Sequence, residues 1–390
     1  MTTELAASSK LMARAEAVAA LAKEYGAEAE RSGQLAPVVV DALRDAGIFS
    51  MVVPAQIGGG EADLATMLGV IETISKGDGA AGWCAMIAAT TATAAATLPR
   101  EGAEEIFGDP RLAAGGVVNP PGHARRVEGG YVVTGKWGFG SGSGHSSWML
   151  GGCIVHGAEG PEMVADNIPN FRLMFFPRDE IRVLDTWHVS GLRGTGSNDW
   201  EVRDLFVPER RSAALRGHSP WVTGTLYQFP MFGLLAVAVA AVALGIGRAA
   251  IEELREVAIT KTPGGSRRTL AERAAAQSGI AEAEALVRSS RAFLMETIND
   301  IWTRLEGGAR LSIDDRTLMR LSATAAAMNC ARAVDICYNL GGATSIYEKS
   351  VLQRQFRDIH TLTQHVMVGQ PTLEVAGRIF VGQATDTSMF

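Results

Sequence analysis

Cysteine is scarce: four occur in 390 residues, and Cys84, Cys153, Cys330 and Cys337 make no CxxC pair. Neither a disulfide framework nor a zinc site is expected, and the four read as buried thiols. Clustered positive charge is also missing. The formal net charge is -6 and no basic stripe interrupts the chain. Phosphate backbones need clustered Lys and Arg, so a nucleic-acid partner is not expected. GxGxxG after a first strand, GxxxxGK[ST], GxSxG and HExxH are all absent, which removes the familiar dinucleotide, phosphate-loop, hydrolase and zinc-protease readings. The N-terminus, "MTTELAASSKLMARAEAVAAL", has no basic start followed by an apolar run. It reads as an alanine-rich amphipathic helix, and a cytoplasmic location follows. Long hydrophobic runs are lacking too. Met231 to Ile246, "MFGLLAVAVAAVALGI", falls short of the roughly 20 apolar residues that cross a bilayer. A helix buried all round, with no membrane, is the expectation.

What is present suits a large folded core: 47% of residues are hydrophobic and 20% charged. The texture changes twice. Helix formers dominate to about Phe107, as in Val38–Ala46, Ala65–Ser75 and Ala80–Ala96. Short β-branched or alternating runs then follow one another, separated by Gly, Pro, Asn and Asp. "VEGGYVVTGKW" reads as a hairpin turning at Gly129-Gly130, and "DWEVRDLFVP" as a strand closed by Pro208. Helices return from about Tyr227, over Thr269–Glu296, Asp314–Leu340 and Thr361–Val381. Three domains are expected: helical 1–112, β 113–215 and helical 216–390. This is an α+β order, not an alternating βαβ one.

Three stretches carry the candidate chemistry. In "GKWGFGSGSGHSSWMLGG", Trp137, Phe139 and Trp148 flank Gly140-Ser141-Gly142, whereas flexible Gly/Ser linkers rarely hold bulky aromatics. A loop shaped around a planar ligand, an ordinary strand end and a linker are the readings open, and Ser141 offers a hydroxyl in the first. "GLRGTGS", Gly191 to Ser197, is either a tight loop or a polar rim. In "FRDIHTLTQHVMVGQPTLEVAGR", His360 and His365 are five apart, which is wrong for one helical face, so a shared metal is not expected. A histidine among apolar residues is either a hydrogen-bonded core group or an acid–base group in a pocket.

Taken together, "GKWGFGSG", "DTWHVSGLRGTGSNDWEVRDLFVP", "NLGGATSIYEKSVLQRQFRDIHTLTQH" and "GWCAMIAATTA" resemble the acyl-CoA dehydrogenase fold over nearly the full chain. That resemblance implies an N-terminal helical domain, a central antiparallel β-barrel or sandwich, and a C-terminal four-helix bundle. Within the fold, the motifs resemble the two-component flavin monooxygenase branch. The register after "TQ" is "HVMVG", with no carboxylate where many dehydrogenases keep their base, and His365 stands there instead. The resemblance implies that a separate reductase supplies reduced FMN or FAD, that oxygen adds at flavin carbon 4a as a hydroperoxide, and that a hydrophobic, aromatic or polycyclic small molecule receives one oxygen atom. Ser141 would then meet flavin nitrogen 5, and His365 would protonate the oxygenating species or deprotonate a phenol. Trp137, Phe139, Thr195 and Ser197 would wall the flavin. Arg267, Arg268, Gln277, Gly341 and Gly342 would hold its phosphate or adenosine end across a homotetramer interface. Trp83, Met86, Thr90 and Thr91 would line the substrate pocket. The competing readings are a FAD-dependent acyl-CoA dehydrogenase passing electrons to an electron-transfer flavoprotein, and a catalytically silent homologue.

Overall fold

Alanine- and leucine-rich stretches with few glycines or prolines form helices before and after a sheet in chain order. The computed structural model describes residues 2–165, 168–215 and 221–390. The expected boundary at 215/216 falls at the edge of a segment outside the described residues. The N-terminal helices are α1 (Thr2–Ser32), α2 (Pro37–Asp45), α3 (Leu64–Gly77), α4 (Gly79–Ala92) and α5 (Arg100–Phe107). Asp78 divides α3 from α4. Its extended backbone ends one helix, and its carboxylate accepts the Ala81 N–H at 2.9 Å to start the next.

The strands are β1 (Ala114–Val127), β2 (Gly130–Gly140), β3 (Trp148–Gly157), β4 (Gly160–Pro161), β5 (Met163–Ala165), β6 (Ile168–Pro169), β7 (Phe171–Pro177), β8 (Arg182–Leu184), β9 (Asn198–Pro208) and β10 (Ser212–Ala214). In the main sheet they run β10-β7-β3-β1-β2-β9-β8. The hairpin closes on the pair Val127–Gly130, so its turn is Glu128-Gly129, one residue earlier than expected. Gly129 supplies the positive φ of 77°. Gly130 is needed for a different reason, because a Cβ there would lie 2.2 Å from the Val207 carbonyl oxygen of β9. The expected all-antiparallel sheet is mixed: β1 and β3 run parallel. After the β1–β2 hairpin, residues 141–147 cross the start of β1 and deliver β3 to its other edge. That crossover carries Ser141.

The C-terminal helices are α6 (Met231–Thr260), α7 (Ala274–Glu306), α8 (Ile313–Gly341), α9 (Val351–Leu362) and α10 (Pro371–Phe380). The apolar run lies inside α6, where every residue from 236 to 247 is buried; α6 packs on α3, α8 and α9. Two expected helices differ. The Thr269–Glu296 pattern is interrupted because Thr269 and Glu272 form their own capping box and Arg273 is extended, so α7 begins at Ala274. Thr361–Val381 is two pieces, since Gly369 and Pro371 break it. His365 therefore sits in the turn between α9 and α10.

Candidate functional site

Alternation along β2 would point Trp137 and Phe139 to the same face. The β2–β9 register slips between Trp137 and Gly140, and Phe139 takes a left-handed φ of 62°. A bulge of this kind re-aims a side chain. Trp137 points into the sheet's own core, 0% exposed, stacked on Trp200 with ring centroids 4.2 Å apart, and its Nε1 donates to the Gly152 carbonyl at 2.9 Å. Expected on the flavin wall, it is instead a core residue with no surface or donor left to give. Phe139 points outward, 73% exposed, edge-on to Trp187 at 6.1 Å. Left-handed backbone costs a non-glycine residue about 1 kcal/mol, and a single position that accepts this to expose a phenyl ring is a candidate ligand platform. Gly140 allows the return: a Cβ there would lie 2.6 Å from Trp200 Cδ1.

Ser141 follows, 3% exposed. It heads a line of hydrogen bonds whose direction is determined by proton count. Thr195 Oγ1 donates to the Leu192 carbonyl at 2.8 Å, so its only proton is used. The Ser197 hydroxyl, 2.6 Å away, must donate to Thr195. Ser141 Oγ, 2.7 Å from Ser197 Oγ, must then donate to Ser197, while the Trp83 Nε1–H donates to Ser141 at 3.0 Å. Every hydroxyl proton points toward Leu192. Ser141 keeps one free lone pair and no free proton, so an incoming ligand atom finds an acceptor.

Trp83 also meets His365, ring edge to ring face, at 5.4 Å. Thus the 141–147 crossover and the α9–α10 turn meet on one indole of α4, with the 192–197 loop joined to it through Ser141. The His365 Nδ1 accepts the Met367 N–H at 3.3 Å. Burial, reinforced by the Arg320 cation, pushes its pKa down to about 4, so the ring is neutral near pH 7.

Beneath the 192–197 loop lies a buried charge cluster that the sequence reading missed. Asp358 Oδ1 accepts the Leu192 N–H at 2.6 Å, Leu192 itself having a φ of 51°. Asp78 lies nearby with Arg354 Nε 3.9 Å from its carboxylate. Burial first, and the Asp78 charge second, push the Asp358 carboxyl up to about 7; burial likewise raises Asp78. Between the ordinary carboxylate value and 7, the folded chain holds a proton that the unfolded chain has released. Stability is therefore expected to fall as pH rises from about 4 to 7 and to level off above. Asp358→Asn keeps an acceptor for Leu192 but cannot ionise. Thermal melts across this range should show a flatter profile for the variant, with a gain over wild type at pH 8 on the order of a few kcal/mol.

The other expected residues divide. Met86 is fully buried in the helical core, and Thr90 donates its hydroxyl back to the Met86 carbonyl at 2.9 Å. Thr91 is buried against β1, where a Cβ on Gly116 would lie 2.9 Å from its Oγ1. Lys261, not foreseen, donates to the Gly341 carbonyl at 2.5 Å and lies beside Gly342. Arg267 and Arg268 stand exposed in the loop that Lys261 opens. Gln277 is exposed and donates to the Ala271 carbonyl at 3.0 Å. Trp187 was also passed over, although it lies in the stretch "DTWHVSG". Among the described residues, no group of three or more His, Cys, Asp or Glu is arranged to hold a metal.

Residues 8–107 match the acyl-CoA dehydrogenase N-terminal domain and residues 237–370 match an acyl-CoA dehydrogenase C-terminal domain. An indole-3-acetate monooxygenase of Pseudomonas putida is 35% identical over 91% of this chain and 90% of its own. The oxygenase subunit HsaA of a flavin-dependent monooxygenase from Mycobacterium tuberculosis is 28% identical over 84% of this chain and 83% of its own. The structure of XiaF from Streptomyces sp., solved with FADH2 and glycerol, superposes with a TM-score of 0.89 at 25% identity, covering 98% of both chains. The chain belongs to the flavin-dependent monooxygenases built on the acyl-CoA dehydrogenase fold.

Proposed function

We propose that this enzyme is the oxygenase component of a two-component system, working in the cytoplasm as a homotetramer and taking reduced FMN or FAD from a separate flavin reductase. Its substrate is a hydrophobic aromatic or polycyclic small molecule, in line with the indole-3-acetate named for one relative. The carrying observation is the one-way hydroxyl line ending at Ser141. Reduced flavin bears a proton on nitrogen 5 and oxidised flavin does not, so a site offering only an acceptor favours the reduced form. The residues present fit a flavin in other respects: Phe139 offers an exposed ring, held edge-on by Trp187, and Trp83 brings an indole to Ser141.

Bound reduced flavin supplies the electrons and the oxygen activation. Ser141 holds the reacting edge in register, with Ser197 and Thr195 fixing its hydroxyl. His365, across Trp83, offers a proton or hydrogen bond where oxygen is transferred. Lys261, Arg267, Arg268 and Gln277, with the Gly341–Gly342 turn, supply charge and close backbone approach for the distal phosphate. The anaerobic titration with reduced FMN and FADH2, followed by mixing with oxygen and indole-3-acetate, tests the assignment. Tighter binding of reduced than oxidised flavin, and incorporation of one atom of ¹⁸O from labelled oxygen, are expected. Bleaching of tightly held FAD by an acyl-CoA would overturn it in favour of a dehydrogenase, and neither response would leave a silent homologue.

Removing the Ser141 acceptor has a narrower consequence. Ser141→Ala should weaken reduced-flavin binding about fivefold to tenfold, the range of one hydrogen bond, while oxidised-flavin binding changes little. More hydrogen peroxide should be released per product, measured by a peroxidase-coupled assay. Equal weakening of both redox forms would remove the role.

A further inference from the structure

We propose that Arg320 is a positioning residue that, with the Met367 backbone, holds His365 as its Nε2–H tautomer, so that His365 meets ligands as a hydrogen-bond donor and not as a base. The turn fixes the proton. A backbone N–H can only donate, and the Met367 N–H reaches His365 Nδ1. Nδ1 must then carry its lone pair, which leaves the single proton of the neutral ring on Nε2. The turn that makes this bond is itself held from the other side. Arg320, on α8 and 2% exposed, donates from one guanidinium nitrogen to the Met367 carbonyl at 3.1 Å and to Thr372 Oγ1 at 3.4 Å. Its other terminal nitrogen donates to the Met389 carbonyl, and the Phe390 ring lies 5.0 Å from its carbon.

One guanidinium thus ties the α9–α10 turn to the start of α10 and to the chain's last described residues. A planar fork with separate donors does this where an ammonium could not. Its charge also bears on His365 directly. The groups facing the imidazole are the neutral Trp83 ring from α4, Arg320 from α8, and the turn's own Met367 N–H. A buried cation disfavours a second positive charge on the ring. The Arg320 side chain and the Met367 N–H therefore act in the same sense, both against protonation at Nδ1. What His365 meets rests on the proposed function; its protonation does not.

The test is a ¹⁵N-histidine NMR titration of the purified full chain without flavin, with the His365 signals identified among the seven histidines by their loss in His365→Gln. Wild type should show a neutral ring protonated at Nε2 from pH 8 to pH 5, with no titration in that window. In Arg320→Met the His365 pKa should rise measurably while burial still keeps it below its ordinary value, and in Arg320→Lys the rise should be smaller while the tautomer becomes mixed. An Nδ1-protonated ring in wild type, or protonation between pH 6 and 8, overturns the proposal. So does an Arg320→Met titration indistinguishable from wild type. Should that variant not fold, the wild-type tautomer and the Arg320→Lys titration decide the matter alone. Because no flavin is present, failure of the oxygenase assignment leaves these outcomes unchanged.

Discussion

Trp137→Ala is expected to lower folding stability by about 3–5 kcal/mol, the usual cost of emptying a buried aromatic site. The site cannot collapse easily, since Trp137 is stacked on Trp200, tilted against Phe176 at 5.5 Å, and wrapped by backbone at Gly122, Gly135 and Gly151, where no side chain can move in to fill space. The Gly152 carbonyl would also lose its donor. Trp137→Phe keeps one six-membered ring, loses the N–H and empties part of the indole's volume, and should cost about 2–3 kcal/mol. The discriminating measurement pairs thermal melts with flavin titration. Trp137→Phe should bind reduced flavin within twofold of wild type, whereas Phe139→Ala, which removes the exposed ring, should weaken binding several-fold. A Trp137→Phe variant that melts normally and binds flavin poorly would return Trp137 to the flavin wall.

This pair of residues marks where sequence reading reached its limit. The order of helices, strands and helices was legible because hydrophobic periodicity and turn residues are local signals. The α6 run was legible for the same reason, as sixteen uncharged positions have few places to go but a core. The bulge that separates Trp137 from Phe139 was not, because register is set by the facing strand. The α9–α10 break was written in Gly369 and Pro371, yet the apolar pattern running through them suggested continuity. Asp358 carried no signal at all: an aspartate in "FRDIH" looks like a solvated helix face, and only the tertiary fold brings it under Leu192. Ser141, Ser197, Thr195 and Trp83 were each singled out on resemblance, but the direction of their shared hydrogen bonds exists only once three separate segments meet.

His365→Ala is expected to reduce product formation by roughly 10²- to 10⁴-fold, the range of a lost acid–base or hydrogen-bonding group at a reacting centre, with reduced-flavin affinity near wild type because Ser141 and the hydroxyl line are untouched. The conservative replacements separate the two roles that a histidine can play. Gln supplies an N–H donor and no useful base, and His365→Gln should recover a substantial part of the lost rate; His365→Glu supplies a base and no donor, and should recover none. The pH dependence gives an independent reading. With its pKa pushed down to about 4, the imidazole is neutral across pH 5 to 8 and holds the same proton throughout. The rate of oxygen transfer should therefore be flat in that range, apart from any titration of the substrate itself. A base would show the opposite: rate would rise with pH through the histidine's own pKa, and Glu would rescue where Gln fails. Rates measured by rapid mixing of the pre-reduced enzyme with oxygen and a non-ionising aromatic such as indole distinguish these cases without interference from a phenol's proton.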